Sequence, residues 1–198
     1  MTGRGAWLAG LGVLACSFVA LWHALPGPAA PWPVFGLLPP LIQPAGPARV
    51  DLRGPAGVTD ADSLLVDGRA VRLEGVDAPE ARQTCTRQGA AWPCGQDASA
   101  ALRLFIGPRE VACEARGEDR FGRTLGRCWA GREEINAWLV REGWAVAYTR
   151  YSWRYLPQQA LAWWEGRGLW QGSFEAPEDW RRAQQRRGAL LGSPCCLP

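Results

Sequence analysis

The sequence predicts an α+β domain, a five-stranded OB-type Greek-key barrel with three or four helices, preceded by an N-terminal membrane helix. Three observations lead there. Short β-like runs fall in two groups, at 50–53, 63–67 and 69–76 and then in a hairpin over 110–130; one helical run separates the groups; further helical runs follow the second. Five short strands with a helix inserted before the fourth suggest the small barrel, although periodicity alone does not separate it from another α+β layout. With 198 residues, 47% apolar content and 12 tryptophans, the chain has material for one packed domain plus extensions.

The N-terminal run from Ala6 to Leu25 carries no charge and matches the ~20 residues that cross a bilayer as a helix. Arg4 precedes it and no charge follows until Arg49, so the positive-inside rule puts residue 1 in the cytoplasm and the body outside. An uncleaved anchor is expected, because no A-x-A cleavage site stands at the right place and Ala30 is followed by Pro31; cleavage would instead release a secreted protein. Val13-Leu14-Ala15-Cys16 faintly resembles a lipoprotein box, but the apolar run continues past Cys16. From Leu25 to Ala48 eight of twenty-four residues are proline, which reads as a stiff spacer. The expected organisation is a signal anchor or uncleaved signal sequence over 1–25, a proline-rich linker over 26–47, the folded domain over 48–187 and a cysteine-containing tail over 188–198, acting as a monomer.

Within the domain, Asp67-Gly68 is a tight-turn signal joining two strands, and Val71 and Leu73 alternate with Arg72 and Glu74 so that Arg72 faces away from the core. A helix is expected over 96–106, with Ala98, Ala101, Leu102 and Phe105 on one face and Gly107-Pro108 as its stop. Another follows over 133–142 through Ile135, Trp138 and Leu139. Further helices are expected to start at Pro157 and Pro177, the last with Glu178 and Asp179 in its first turn and Arg186 and Arg187 in its last, as the helix dipole favours.

Six cysteines lie beyond Cys16. Cys113 and Cys128 sit symmetrically about the turn-like GEDRFG stretch, so a hairpin centred between Arg120 and Phe121 opposes them directly and sets Glu114 opposite Arg127. Opposed positions in a non-hydrogen-bonded pair have a Cα separation of about 4.5 Å, which a disulfide can span. Cys85 and Cys94 bracket a short loop and form the second expected bridge. A four-cysteine zinc site ranks below this, since neither pair has CxxC spacing; Cys195 and Cys196 have no assignable partner. Disulfides accord with an exported domain.

Composition removes whole classes of chemistry. The chain has no lysine, and its one histidine, His23, lies inside the apolar run, so a histidine base, a histidine-ligated zinc and a Ser-His-Asp triad are excluded. Residues 51–80 carry seven acids against three arginines, whereas 81–198 carry seventeen arginines against twelve acids. An acidic pocket on a basic body suits a cation bound beside a polyanion. The pocket is the stretch TDADSLLVDGRAVRLEGVDAPE over 59–80, where Asp60, Asp62, Asp77 and Glu80 surround a hairpin bearing Arg72. Singly, each acid reads as structural: Asp77 and Glu80 have the spacing of a helix-capping box, and Asp60 and Asp62 could shape a turn.

Their joint occurrence with Val71-Arg72-Leu73 and, further on, Asp119-Arg120-Phe121-Gly122-Arg123 resembles the staphylococcal-nuclease-like (thermonuclease) family, whose pattern runs D-G-D-T, R-L, D-x-P-E and D-x-Y-G-R. The resemblance spans roughly 48–182. It implies a Ca²⁺-dependent endonuclease that hydrolyses DNA and RNA by water attack at phosphorus, exported as the N-terminal run and the cysteines indicate. Asp62, Asp77 and the Ala78 carbonyl would ligate Ca²⁺ as oxygen donors, with Asp60 behind them. Glu80 would activate the water, Arg72 and Arg123 would clamp the phosphate, and Tyr148 and Tyr151 would stack a base. The alternative is a nuclease-like module that binds nucleic acid or a partner at the cell envelope without cutting. Ala61, Ser63 and Phe121 depart from the family's glycine, threonine and tyrosine. A positive φ at Ala61 would cost about 1–2 kcal/mol, and Phe121 removes one hydroxyl that could bond a terminal phosphate.

Overall fold

The computed structural model describes residues 46–191. The expected membrane helix, the linker up to residue 45, Cys16, His23, Cys195 and Cys196 lie outside the described residues. Among the described residues no helix is long and apolar enough to cross a membrane.

The chain runs β1 (Leu52–Gly54), β2 (Ala56–Asp60), β3 (Ser63–Val66), β4 (Arg69–Leu73), β5 (Val76–Asp77), β6 (Cys85–Arg87), β7 (Ala90–Trp92), α1 (Cys94–Ile106), β8 (Val111–Glu118), β9 (Thr124–Ala130), β10 (Glu133–Glu134), α2 (Ile135–Arg141), β11 (Val146–Ala147), α3 (Leu156–Glu165), β12 (Gly172–Ser173) and α4 (Pro177–Leu191). The main sheet has the order β1-β8-β9-β4-β3-β2, with β10 added to β9. Every pairing in it is antiparallel except β4 with β9. Strands β1 and β2 occupy opposite ends of that order, yet only Pro55 separates them in the chain. The sheet therefore rolls back on itself, as an OB-like barrel does, and a residue without an N–H stands where the chain passes from one edge to the other.

Among the described residues the expected mixed α+β architecture holds, with four helices and a mostly β sheet, but the strand count differs. Residues 56–60 form β2, which the sequence hid behind Gly57 and a half-exposed alternation. The expected strand over 69–76 stops at Leu73, because Glu74-Gly75 turns the chain with Gly75 at φ +74°. Val76 and Asp77 then leave the main sheet and pair with β11. That kink carries Asp77 toward Asp62. The helices start close to where they were expected, at Cys94, Ile135, Leu156 and Pro177, but α4 continues to Leu191, so Arg186 and Arg187 lie before its last turn, which carries no basic residue.

Packing follows the alternation. Val71 and Leu73 point into a core with Leu64, Val66, Leu102, Ile106, Ile135 and Leu139, while Arg72 between them stays partly exposed. At the parallel β4–β9 seam, a Cβ on Gly126 would lie 2.8 Å from Val71 Cγ1, so the strands approach closely only with glycine there. Asn136, fully buried, ties α2 to the barrel by accepting from the Cys128 N–H and donating to the carbonyls of Glu74 and Gly126. Both expected disulfides are formed, Cys85–Cys94 and Cys113–Cys128. The β8–β9 register opposes Cys113 to Cys128 and Glu114 to Arg127, then shifts by one residue between Ala115 and Gly117.

Candidate active site

Four local structures converge at one end of the barrel. The tight β2–β3 turn presents Asp60 and Asp62, with Asp60 Oδ1 accepting from the Ala61 N–H at 2.9 Å. Ala61 is fully buried and its backbone lies outside the left-handed region, so its methyl costs no φ strain where the family carries glycine. Asp62, only 3% exposed, is bonded on both oxygens: Oδ1 accepts from Ser63 Oγ at 3.0 Å and Arg72 Nη1 at 2.5 Å, and Oδ2 from the Ala78 N–H at 3.2 Å. Register explains the first pair, since Ser63 sits opposite Arg72 across β3 and β4. Arg72 Nη2 reaches Asp77 Oδ1 at 3.1 Å, so one planar guanidinium spans both aspartates.

Arg123 arrives from the β8–β9 loop. Asp119 shapes that loop by accepting from the N–H groups of Phe121 and Arg123, and its Oδ2 takes Arg123 Nε at 2.7 Å. Arg123 Nη1 lies 3.4 Å from Ser63 Oγ, beside Asp62. Phe121 is exposed, with the guanidiniums of Arg120 and Arg123 over its ring. Ser63 thus keeps the bridging role its hydroxyl allows.

The sequence reading missed Arg181 in α4. Its Nη2 donates to Asp77 Oδ1 at 2.9 Å and Oδ2 at 3.1 Å, and its Nη1 to Glu80 Oε1 at 3.0 Å. Residues 77 and 181 are 104 positions apart, and no spacing rule links them. The one available hint was an arginine early in a helix whose first turn otherwise carries acids, against the dipole preference.

Charge is unbalanced here. Burial raises the Asp60 pKa to about 6, against the Ala61 N–H, and the neighbouring Asp62 and Glu80 carboxylates push the same way. Burial likewise raises Asp77 to about 6, outweighing the pull of Arg181. Both remain ionised at neutral pH; Arg72 and Arg181 bond Asp62, Asp77 and Glu80, while Asp60 accepts from the Ala61 N–H alone among the described residues. An all-oxygen donor set with surplus negative charge fits a hard dication rather than a thiophilic metal. Among the described residues no cluster of three His, Cys, Asp or Glu side chains stands ready for a metal. Arg72 and Arg181 already donate to Asp62 Oδ1 and to both oxygens of Asp77, so an ion at this site would share those oxygens with them.

Beside Asp77 opens a cleft of about 440 Å³ lined by Val146, Tyr148, Arg150, Trp153 and Glu178 among others. Tyr148 is held there through its N–H to the Gly75 carbonyl, and burial, with Glu178 and Asp77 near, raises its hydroxyl pKa. The second expected aromatic, Tyr151, is exposed outside that lining, its ring 4.9 Å from that of Tyr148. Trp153, not singled out in the sequence, lines the cleft instead.

The comparisons with known proteins fit this geometry. A family model described as staphylococcal nuclease homologue matches residues 70–172, which takes in Arg72, Asp77, Glu80, Arg123 and Tyr148. The chain is 37% identical over 147 residues to the succinoglycan biosynthesis protein ExoI of Rhizobium meliloti, covering 72% of this chain and 74% of that protein. It is 32% identical over 136 residues to an uncharacterized endonuclease of Haemophilus influenzae, covering 65% and 71%. To the thermonuclease of Staphylococcus hyicus it is 33% identical over 105 residues, covering 50% and 60%. With its barrel, its paired aspartates and two arginines matching the family pattern, the chain belongs to the staphylococcal nuclease homologue family.

Proposed function

We propose that this domain is a Ca²⁺-dependent phosphodiesterase, an endonuclease that hydrolyses DNA and RNA by water attack at phosphorus. The carrying observation is the convergence of Asp62, Arg72, Asp77, Glu80 and Arg123 from four separate elements onto one end of the barrel. Asp62, Asp77 and the Ala78 carbonyl would hold Ca²⁺, which would supply charge neutralisation and Lewis acidity at the phosphate. Glu80 accepts a proton from the attacking water as the oxygen–phosphorus bond forms. The bond from phosphorus to the 5′ oxygen breaks, that oxygen takes a proton from solvent, and a 3′-phosphate end remains. Arg72 and Arg123 offer fixed guanidiniums to the phosphate oxygens, where negative charge grows in the transition state. The cleft at Tyr148 receives a base.

Two disulfides and the apolar N-terminal run support a location outside the cytoplasm, anchored through residues 1–25 or secreted after cleavage. The arginine-rich 81–198 body holds the polyanion, so binding weakens as salt rises. Purified protein incubated with plasmid in Ca²⁺, with and without chelator, tests the reading. Nicking and linearisation that chelator abolishes are expected. Binding to nucleic acid without any cleavage would leave the non-catalytic module as the function.

A further inference from the structure

We propose that Arg181 is a positioning residue of this site, one that sets the Glu80 carboxylate relative to Asp77 and so makes the C-terminal helix part of the hydrolytic machinery. The inference rests on the nuclease reading above and adds a residue to it. Among the described residues, Arg181 is the only hydrogen-bonding partner of the Glu80 carboxylate. The same guanidinium takes both oxygens of Asp77. A rigid planar fork therefore fixes the separation and the relative angle of two acids that the chain itself joins through a loop.

The backbone of that loop is held independently, which isolates what Arg181 adds. Gly95 at the start of α1 lies against the Glu80 carbonyl so tightly that a Cβ there would stand 1.8 Å from the oxygen. Buried Gln83 accepts from the Glu80 N–H at 3.4 Å and donates to the Glu175 carbonyl at 2.7 Å, and β12 pairs with β6 just beyond. The loop is thus clamped between α1 and the segment leading into α4, while its working carboxylate is aimed by α4 itself. Among the described residues the neighbouring Arg182 bonds only within its own helix, to Glu178 and Asp179, and serves as the internal contrast.

The test compares Arg181→Gln, Arg181→Lys and Arg182→Gln in the full chain, reading kcat and KM on single-stranded DNA at saturating Ca²⁺, with crystal structures of the parent and of Arg181→Gln. Arg181→Gln should lower kcat by roughly 10–100-fold with KM within about threefold, the signature of lost orientation. Its Glu80 carboxylate should turn away from Asp77. Arg181→Lys, which keeps the charge but reaches one acid at a time, should fall between; Arg182→Gln should keep the parent kcat and the parent Glu80 orientation. An unchanged kcat in both Arg181 variants, a rise in KM alone, or an unmoved Glu80 in the crystal would overturn the proposal. If the parent itself fails to cut, the nuclease reading falls, while the Glu80 orientation still decides whether Arg181 positions it.

Discussion

Two clusters in this molecule use the same device, an arginine between buried carboxylates, and differ in what becomes of the surplus charge. In the first, Arg127 donates to Glu134 at 2.7 Å and reaches Glu114 at 3.5 Å, with its guanidinium 4.9 Å over the Trp129 ring. Burial works against its charge, but the hydrogen bonds and charge of Glu134 win and hold its pKa above the usual arginine range. The second acid is absorbed by neutral donors: Glu114 accepts from the Ala48 and Arg49 N–H groups, and Glu134 accepts from the Tyr155 hydroxyl. In the second cluster Arg72 and Arg181 face Asp60, Asp62, Asp77 and Glu80, and burial leaves Asp60 and Asp77 with pKa values near 6. A structural cluster satisfies its lone pairs from within. The second keeps surplus negative charge, which the proposed Ca²⁺ would meet.

Glu80→Gln should break the second cluster hardest in function, cutting turnover by about 10²–10⁴-fold, the range of a general acid–base group, with Ca²⁺ and DNA binding retained. Asp62→Asn should instead weaken Ca²⁺ binding and turnover together; calorimetry and steady-state rates separate the two. If Glu80→Gln cuts at the parent rate while melting earlier, its carboxylate is structural and the two clusters are alike.

The mirror experiment is Glu134→Gln. Removing one partner of a buried pair should cost about 3–5 kcal/mol in denaturant unfolding, with kcat in the folded fraction unchanged.

The disulfides sharpen the comparison further, because each flanks one cluster. Replacing Cys113 and Cys128 by alanine, next to the opposed Glu114 and Arg127, should lose about 2–4 kcal/mol and leave kcat alone. The Cys85 and Cys94 pair lies against the Gln83 carbonyl near Glu80, so its removal should lower kcat as well as stability. Equal kcat in the two double mutants would remove any link between that bridge and the site.

The smallest effect is a gain. Asp60 is a carboxylate whose folded pKa lies above its ordinary value, so the stability it contributes is present below about pH 4 and is lost as pH rises toward 6. In chelator, Asp60→Asn should therefore melt a few degrees above the parent at pH 7 and no higher at pH 4. Excess Ca²⁺ should shrink that gain; a gain that ignores pH would point to packing rather than charge.

Much of this was legible in the chain. Alternation set Arg72 apart from Val71 and Leu73, the Asp67-Gly68 turn and the symmetric cysteines set two hairpins, and the absence of lysine and of a usable histidine left carboxylates and arginines for the chemistry. These are local signals, carried by side-chain period, turn preference and residue type. Strand β2 escaped because its alternation is weak and its partner lies across the turn that holds Asp60. The kink at Gly75, the rolling of the sheet through Pro55 and the arrival of Arg181 from the far end of the chain belong to the tertiary structure alone. A guanidinium meets a carboxylate 101 residues away only because α4 docks beside the loop, and that docking depends on β12 pairing with β6 and Gln83 bonding Glu175. Residue type fixed which chemistry was possible; the long-range contacts decided which acids share an arginine, since no sequence period spans such a distance.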